Sequence, residues 1–277
     1  MPVLSAFADE MSPELDEQLD VLGECGIRWI DLRGAWGANV MELTDQQVGR
    51  IQGTLKDRGF AIAAIGSPIG KSAIDKEMKL ELERLKRGAE LAEAFDAKYI
   101  RVFSYYPPEG QSIATYGQEV LGRMAGWVEW IAANHPNLVL VHENEYGIYG
   151  DLPERCEQIM ARLYGPHMIN CYDPANFVHS GVTDVFENCW MPLKKYTKCF
   201  HLKDYKRGEH VVPCGEGDGE VEKTLADAWK DGFDGFMTME PHLTKAGQFA
   251  GFTGPDRFKA AVQAVKDICK RNGIPLR

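Results

Sequence analysis

The chain has 277 residues, of which 44% are hydrophobic and 26% are charged. These proportions are typical of a folded globular protein, and a chain of this length buries roughly 75% of its unfolded surface, so a mainly disordered chain is excluded. The 41 acidic residues against 31 basic ones give a net charge of −10. This balance argues against a broad nucleic-acid-binding surface, because binding to phosphates needs clustered Lys and Arg.

Seven cysteines are scattered along the chain, and none belongs to a Cys-x-x-Cys pair. This usage indicates reduced thiols rather than a disulfide framework or a zinc knuckle. The first basic residue is Arg28, so the start of the chain lacks the pattern of a signal peptide. No segment approaches the ~18 apolar residues of a membrane span. We therefore expect a cytoplasmic protein with no membrane partner.

Short apolar segments alternate with longer amphipathic ones along the chain. The first apolar segment is followed by Ser12-Pro13, which predicts an N-cap with proline at the first helical position. Thr44 opens the second predicted helix, the longest helical patterns cover residues 76–94 and 116–133, and Pro153 opens a later helix. The predicted strands are residues 3–8, 29–33, 61–67, 99–104, 138–143, 169–173, 199–203 and 235–240.

These elements predict an α/β fold. Eight strand–helix units of roughly 35 residues match the ~250-residue size of a (β/α)8 TIM barrel. Most of the strands are apolar on both faces, as in a parallel sheet covered by helices. An open doubly wound sheet is the alternative, but residues 8–12, the first strand–helix turn, lack a glycine fingerprint for a dinucleotide. Since no linker interrupts the pattern, we expect a single barrel domain over residues 1–277.

The carboxyl ends of the last four predicted strands carry residues that can bind a metal. Glu143, Asp173, His201 and Glu240 each stand at such an end, just after or within an apolar segment. In a barrel these ends meet at one rim. Three carboxylates and an imidazole at one place would repel one another unless a cation neutralises them. Three oxygen ligands and one nitrogen suit a single divalent ion, Mn²⁺, Mg²⁺, Co²⁺ or Zn²⁺.

The second half of the chain resembles the sugar isomerase/epimerase superfamily of xylose-isomerase-like TIM barrels. This superfamily includes ketose 3-epimerases, hydroxypyruvate isomerase, inosose dehydratase and zinc apurinic endonucleases. The resemblance rests on Val-His-Glu143-Asn, Asp173-Pro-Ala-Asn176, Phe-His201-Leu-Lys-Asp and Met-Glu240-Pro-His242. It covers nearly the whole chain and is specific for the superfamily rather than for one substrate.

Carried over residue by residue, the resemblance implies the same four metal ligands. In the ketose epimerases the two metal-bound glutamates also move the substrate proton, and that role falls on Glu143 and Glu240. Those enzymes hold the substrate with an Arg six positions after the metal His, where this chain has Arg207. Many members place a His three residues after the strand-six Asp. Here that residue is Asn176, which can hydrogen-bond a hydroxyl but cannot shuttle a proton at neutral pH.

The resemblance implies a metal that holds two adjacent oxygens of a hydroxy-ketone or hydroxy-aldehyde and acidifies the neighbouring C–H. One glutamate removes the proton to give a metal-bound enediolate, and the other returns it on the opposite face or on the next carbon. Loss of a β-hydroxyl from the same enediolate would make the enzyme a dehydratase. The resemblance therefore implies a small-molecule substrate, a polyol or keto-sugar, as the binding partner. Whether it is phosphorylated is left open, and so is association into a homo-oligomer.

Further polar residues follow the strands and are expected to contact the substrate. Arg can fork onto a carboxylate or phosphate, and Lys acts as a point charge. Glu145 stands two residues after Glu143, and His242 two residues after Glu240, so each is expected to point to the same side of its strand as the predicted acid or base. The alternative for two of the cations is structural, with Lys203 pairing with Asp204 and Arg101 pairing with a rim carboxylate. The expected substrate contacts are Arg33, Lys71, Arg101, Glu145, Asn176, Lys203, Arg207 and His242.

Two other features receive a structural interpretation. His142 precedes Glu143 on its strand, so it points the other way and is expected to pack. The glycine-rich segment 215–219 lacks the Gly-Lys-Ser/Thr of a P-loop, and its Glu216 and Asp218 would repel phosphate. We interpret it as a flexible loop over the site.

Four functions therefore compete. The first is a metal-dependent sugar isomerase or epimerase, and the second is an inosose-type dehydratase on the same scaffold. A metal-dependent phosphodiesterase or endonuclease is disfavoured by the acidic charge, and because strands three and four end without the histidines that hold three metals. A non-catalytic sugar-binding barrel is disfavoured because all four ligand types are present.

Overall fold

A computed structural model describes residues 1–243 and 252–277. Eight parallel strands close into a barrel in which each strand pairs with its neighbours along the chain and the eighth pairs with the first. The predicted (β/α)8 barrel is confirmed, and the open doubly wound alternative is wrong. The extent of 1–277 as one domain stays a prediction. The strands are β1 Val3–Ala6, β2 Trp29–Leu32, β3 Ala61–Ile69, β4 Tyr99–Val102, β5 Val139–Glu143, β6 Met168–Tyr172, β7 Thr197–Leu202 and β8 Phe236–Met239.

Helices follow the strands and cover the outside of the barrel. The predicted start at Thr44 is confirmed, because Thr44 and Gln47 form a reciprocal capping box. The predicted N-cap at Ser12 is wrong. The first helix begins at Leu15, and the Ser12 hydroxyl instead accepts a hydrogen bond from the Glu14 N–H. The main helices are Leu15–Glu24, Asp45–Arg58, Met78–Ala94, Gly117–Asn134, Pro153–Leu163, Pro174–His179, Val221–Lys230 and Pro255–Arg271.

Buried apolar side chains form two separate clusters. The larger cluster lies between strands and helices and includes Leu19, Ile100 and Phe258. A smaller cluster of Val139, Val141, Ile169, Cys171 and Cys199 packs separately. All seven cysteines are buried and none forms a disulfide, as predicted. Across the described ranges, no helix has both the length and the apolar character needed to cross a bilayer.

The glycine-rich segment 215–219 wraps around a carboxylate of the protein itself. The Asp204 side chain accepts hydrogen bonds from the N–H groups of Gly215, Gly217 and Gly219 at 2.9, 3.1 and 2.9 Å. The N–H of Tyr205 donates to the same carboxylate at 2.9 Å. Backbone N–H groups that converge on one anion in this way form an anion-binding nest. Asp204 therefore holds the segment in place by hydrogen bonds. The interpretation of the segment as a flexible loop did not include this interaction.

The packing of this nest predicts a large effect of a single methyl group. A Cβ added at Gly217 would overlap the Asp204 carboxylate and lie 2.8 Å from the Tyr205 nitrogen. We expect Gly217→Ala to lower the free energy of unfolding by about 2 kcal/mol, the usual cost of overpacking. Gly49→Ala is the matched control, because a Cβ there meets nothing within 4 Å and Gly49 lies inside a helix. Urea unfolding should show the control unchanged or slightly stabilised, and equal stabilities of the two variants would contradict the packing argument.

Candidate active site

Four buried side chains converge at the carboxyl end of the barrel, where active sites of this fold lie. Glu143 ends β5, Asp173 follows β6, His201 lies near the end of β7 and Glu240 follows β8. Each is at most 3% exposed. Each offers a ligand atom, and these atoms all lie within 4.8 Å of one another. We call Glu143, Asp173, His201 and Glu240 the metal-site cluster.

The Nδ1 atom of His201 faces the two glutamates of the cluster. It lies 2.9 Å from Glu143 Oε1 and 3.4 Å from Glu240 Oε2. In neither approach does this buried nitrogen make a hydrogen bond. The nitrogen and the two carboxylate oxygens therefore face a shared space. Three carboxylates and one imidazole around such a space are a donor set that fits a divalent cation.

Arg101 holds the two glutamates from the other side. Its Nη1 lies 3.1 Å from Glu143 Oε2 and 3.7 Å from Glu240 Oε1, the oxygens that face away from His201. The same guanidinium donates to the backbone carbonyls of Gly66 and Ser67 at 3.2 and 3.4 Å. Arg101 is buried and pairs with carboxylates, as the structural alternative expected. Its contact with substrate stays a prediction.

Lys203 lies inside the same cluster. Its ammonium is 2.8 Å from Asp173 Oδ2 and 3.2 Å from Glu240 Oε2, and the side chain is buried. The expected pairing of Lys203 with Asp204 is wrong. Lys203 directly follows the end of β7 and faces the cluster, whereas Asp204 faces the nest of segment 215–219. Lys203 remains a candidate for substrate contact.

Burial and neighbouring charges together set the pKa values of the three carboxylates in the cluster. Burial raises the pKa of Asp173 to about 7, and although Lys203 opposes this rise, the charges of Glu143 and Glu240 add to it. Burial also acts to raise the pKa of Glu143, but His201 and Arg101 outweigh it and the pKa falls to about 2. The pKa of Glu240 lies well below its usual value, since Lys203 and His242 outweigh its burial. The cluster therefore holds at least two ionised carboxylates, Glu143 and Glu240, and cationic side chains lie against both.

A second group of residues holds Glu240 from the side of β1. Arg33 Nε lies 2.8 Å from Asp9 Oδ2, and Arg33 Nη1 lies 3.3 Å from Glu240 Oε1. His242 Nε2 lies 3.4 Å from the same Glu240 oxygen and 3.1 Å from Glu10 Oε1. Asp9 and Glu10 are not among the site residues predicted from the sequence, although both stand directly after the first predicted strand. Arg33 and His242 reach the site, and their contact with substrate stays a prediction.

Lys71 and Glu145 form an ion pair at the mouth of the barrel. Their charged atoms are 2.7 Å apart, and the Lys71 ammonium also lies 4.3 Å from the centre of the Phe103 ring. The pair joins the loops that follow β3 and β5. Both side chains are partly exposed. Their role in binding stays a prediction.

The remaining two predicted contacts differ in position. Asn176 is buried and donates to Asp173 Oδ2 at 3.0 Å and to the carbonyl of Asn144 at 2.8 Å, so it positions a residue of the cluster. Arg207 is exposed, and its guanidinium donates to the carbonyl of Val182 at 2.9 Å. The structure therefore does not bring Arg207 into contact with the cluster. Its role in holding substrate stays a prediction from the resemblance.

His142 packs behind the site, as its strand parity predicts. It is fully buried and its Nε2 lies 3.0 Å from Ser104 Oγ. Burial lowers the pKa of His142 to about 4 against its ordinary 6.5, and the nearby charge of Glu143 only partly opposes this. The ring is therefore neutral in the folded protein at neutral pH.

This burial predicts a specific acid sensitivity. A pKa that is lower in the folded than in the unfolded state gives stability that is present above about pH 6.5 and lost as the pH falls towards 4. Between pH 7 and pH 5 we expect His142 to remove about 2 kcal/mol from the free energy of unfolding. Urea unfolding should show this part of the pH dependence in wild type and not in His142→Gln. His210→Gln, at an exposed histidine, is the control that should keep it.

Comparisons with known proteins extend these findings. The family model described as xylose isomerase-like TIM barrel matches residues 19–275. Compared by sequence with curated proteins, the chain matches none.

Solved structures of similar fold cover nearly the whole chain. A D-tagatose 3-epimerase-like protein is 16% identical, with a TM-score of 0.77 over 99% of this chain and 98% of that one. The probable 3-DHS dehydratase AsbF from Bacillus anthracis is 17% identical, with a TM-score of 0.72 over 96% and 99%. The IOLI protein with a binding zinc atom is 15% identical, with a TM-score of 0.72 over 98% of each chain. At such identities these structures show a common fold, and the family match shows more: the chain belongs to the xylose isomerase-like TIM barrel family.

Proposed function

We propose that the protein is a divalent-metal-dependent isomerase or epimerase of a polyhydroxy ketone or aldehyde. Glu143, Asp173, His201 and Glu240 would hold the metal, which is one of Mn²⁺, Mg²⁺, Co²⁺ or Zn²⁺. When bound, such a metal polarises the carbonyl of the substrate and makes the neighbouring C–H more acidic. The observation that carries this proposal is the convergence of the four buried ligand atoms with a His201 nitrogen that makes no hydrogen bond.

We infer that the two glutamates of the cluster transfer the substrate proton. Their carboxylate oxygens lie 2.9 Å (Glu143) and 3.4 Å (Glu240) from His201 Nδ1, beside the proposed metal position. One carboxylate accepts the proton from the carbon beside the carbonyl, and the electron pair of that C–H bond forms an enediolate. The other glutamate returns a proton to the opposite face of that carbon or to the next carbon. General acid–base steps of this kind contribute about 10²–10⁴-fold to a rate.

A second candidate is a dehydratase acting on the same class of substrate. Lys203 favours it, because its buried ammonium lies within 2.8 Å of Asp173 and can donate a proton to a departing hydroxyl. The same enediolate then collapses with loss of the β-hydroxyl as water. The structural likeness to a probable 3-DHS dehydratase is compatible with this candidate and does not select it.

Incubation in deuterated water separates these reactions. The Mn²⁺-loaded protein is mixed with a panel of ketoses and inososes and followed by mass spectrometry and NMR. Deuterium at the carbon beside the carbonyl without loss of water supports the isomerase or epimerase, whereas loss of water supports the dehydratase. A protein that binds no divalent metal and exchanges no proton would overturn both.

A further inference from the structure

Two buried phenylalanine rings lie against basic side chains of the site. Phe7 directly follows β1 and Phe103 directly follows β4, and both side chains are fully buried. The guanidinium groups of Arg33 and Arg101 lie over the Phe7 ring, 4.8 and 4.7 Å from its centre. The guanidinium of Arg101 and the ammonium of Lys71 lie over the Phe103 ring, at 4.9 and 4.3 Å. Cations and rings therefore alternate in the order Arg33, Phe7, Arg101, Phe103 and Lys71.

Each of these three cations also holds a carboxylate at the carboxyl end of the barrel. The pairs are Arg33 with Glu240 at 3.3 Å, Arg101 with Glu143 at 3.1 Å and Lys71 with Glu145 at 2.7 Å. Each cation therefore contacts both an aromatic ring and a carboxylate. Glu240 and Glu143 are the proposed acid/base pair, so a shift of either guanidinium would change the position of a reacting group.

The Phe7 ring is itself fixed by close packing. A Cβ added at Gly66 would lie 2.8 Å from Phe7 Cε1 and 3.2 Å from Arg33 Cα, so the absence of a side chain at Gly66 leaves room for the ring. The Phe7 ring also meets the imidazole of His201, a residue of the metal-site cluster, edge to face with the ring centres 5.0 Å apart. Since Phe7 is fully buried, it would act on a reaction through these neighbours and not by contact with substrate.

The attraction between ring faces and cations gives this arrangement a function. The face of an aromatic ring carries partial negative charge, and its attraction for a cation is strongest where water is excluded. The side chains of Arg33 and Arg101 are only 10% and 7% exposed. We propose that Phe7 and Phe103 are positioning residues that hold Arg33, Arg101 and Lys71 in place and so align the carboxylates of the site. Their effect on a rate rests on the proposed function, whereas their hold on the cations can be measured without it.

Fluorination of the Phe7 ring tests the proposal. A phenylalanine with three fluorine atoms on its ring keeps nearly the same shape but loses most of the negative charge on the ring face. This analogue replaces Phe7, and exchange of the arginine Nε–H groups with solvent is followed by NMR in protein labelled with ¹⁵N-arginine. We expect the Nε–H groups of Arg33 and Arg101 to exchange at least about tenfold faster. The Nε–H of Arg84, which pairs with Glu81 at 2.7 Å, should keep its exchange rate.

The same analogue in place of Phe258 is the matched control. Phe258 is also fully buried, but it packs in the larger apolar cluster, so its fluorination should leave the arginine exchange unchanged. In the Mn²⁺-loaded protein at saturating ketose, fluorination of Phe7 should also lower the rate of proton exchange between substrate and solvent by about tenfold. Fluorination of Phe258 should not lower that rate.

Two results would overturn the proposal. The first is unchanged exchange of the Arg33 and Arg101 Nε–H groups after fluorination of Phe7, whatever the activity. The second is faster arginine exchange with an unaltered rate on the substrate, because the rings would then hold the cations without positioning the reacting groups. If the unmodified protein exchanges no proton of any ketose or inosose, the proposed function fails, and the arginine signals alone decide whether the rings hold the cations. If the protein fluorinated at Phe7 does not fold, the analogue at Phe103 decides, since it should speed up exchange at Arg101 and not at Arg33.

Discussion

Glu143→Gln is expected to lower the rate of proton exchange between substrate and solvent by about 10³-fold. The amide keeps the shape of the side chain but cannot accept the proton, and general bases contribute about 10²–10⁴-fold. The change also removes the charge that Arg101 and His201 contact at 3.1 and 2.9 Å. Exchange is measured by NMR in deuterated water at saturating Mn²⁺, so that weaker metal binding does not mimic the loss of the base.

The control for this change is two residues away on the same segment. Glu145→Gln alters a carboxylate that pairs with Lys71 at the mouth and lies outside the metal-site cluster. We expect its exchange rate to stay within about tenfold of wild type, with any effect falling mainly on KM. The role of Glu143 as a base is wrong if Glu143→Gln retains exchange at a rate similar to that of the control. A variant that recovers at high Mn²⁺ would show that Glu143 acts as a ligand alone.

Much of this site is predictable because its residues stand at positions that local sequence defines. Glu143, Asp173 and Glu240 each come just after an apolar segment, and His201 lies near the end of one. Once the segments are assigned to a parallel barrel, their carboxyl ends must meet at one face. No distance between residues is needed for that conclusion, and the structure brings the four ligand atoms within 4.8 Å of one another.

The pairing of charges could not be predicted in the same way. Lys203 and Asp204 are neighbours in sequence, and a pair between them is a natural expectation, yet their side chains contact different partners. Asp204 finds its partners in Gly215, Gly217 and Gly219. Those hydrogen bonds depend on how a loop of more than ten residues folds back, which neither periodicity nor composition specifies.

The sequence also did not predict that the residues directly after β1 contribute to the site. Asp9 and Glu10 lie in a short 3-10 helix directly after the strand, and such a turn has no distinctive sequence pattern. Their importance depends on distant partners. Asp9 pairs with Arg33, and Glu10 accepts a hydrogen bond from the N–H of His242, more than two hundred residues away. Only the closure of the barrel, which places β8 beside β1, brings these groups together.

Lys203→Met is expected to destabilise the metal-free protein strongly and to increase its affinity for metal. In the metal-free protein the Lys203 ammonium neutralises Asp173 and Glu240 at 2.8 and 3.2 Å, and all three groups are buried. Removing one partner of a buried ion pair costs about 3–5 kcal/mol, because the remaining charge is left without compensation. A divalent cation restores that compensation, so the variant should be stabilised by Mn²⁺ more than wild type is.

Lys71→Met is the matched control for this prediction. That lysine also pairs with a carboxylate, at 2.7 Å, but both side chains are partly exposed. Pairs of this kind contribute about 0–1 kcal/mol, and the change should leave the response to Mn²⁺ unaltered. Thermal unfolding and calorimetric titration with Mn²⁺ measure both effects. If Lys203→Met instead loses its affinity for Mn²⁺, the ammonium does not compete with the cation for Asp173 and Glu240. The metal would then have to lie elsewhere than between those carboxylates and His201.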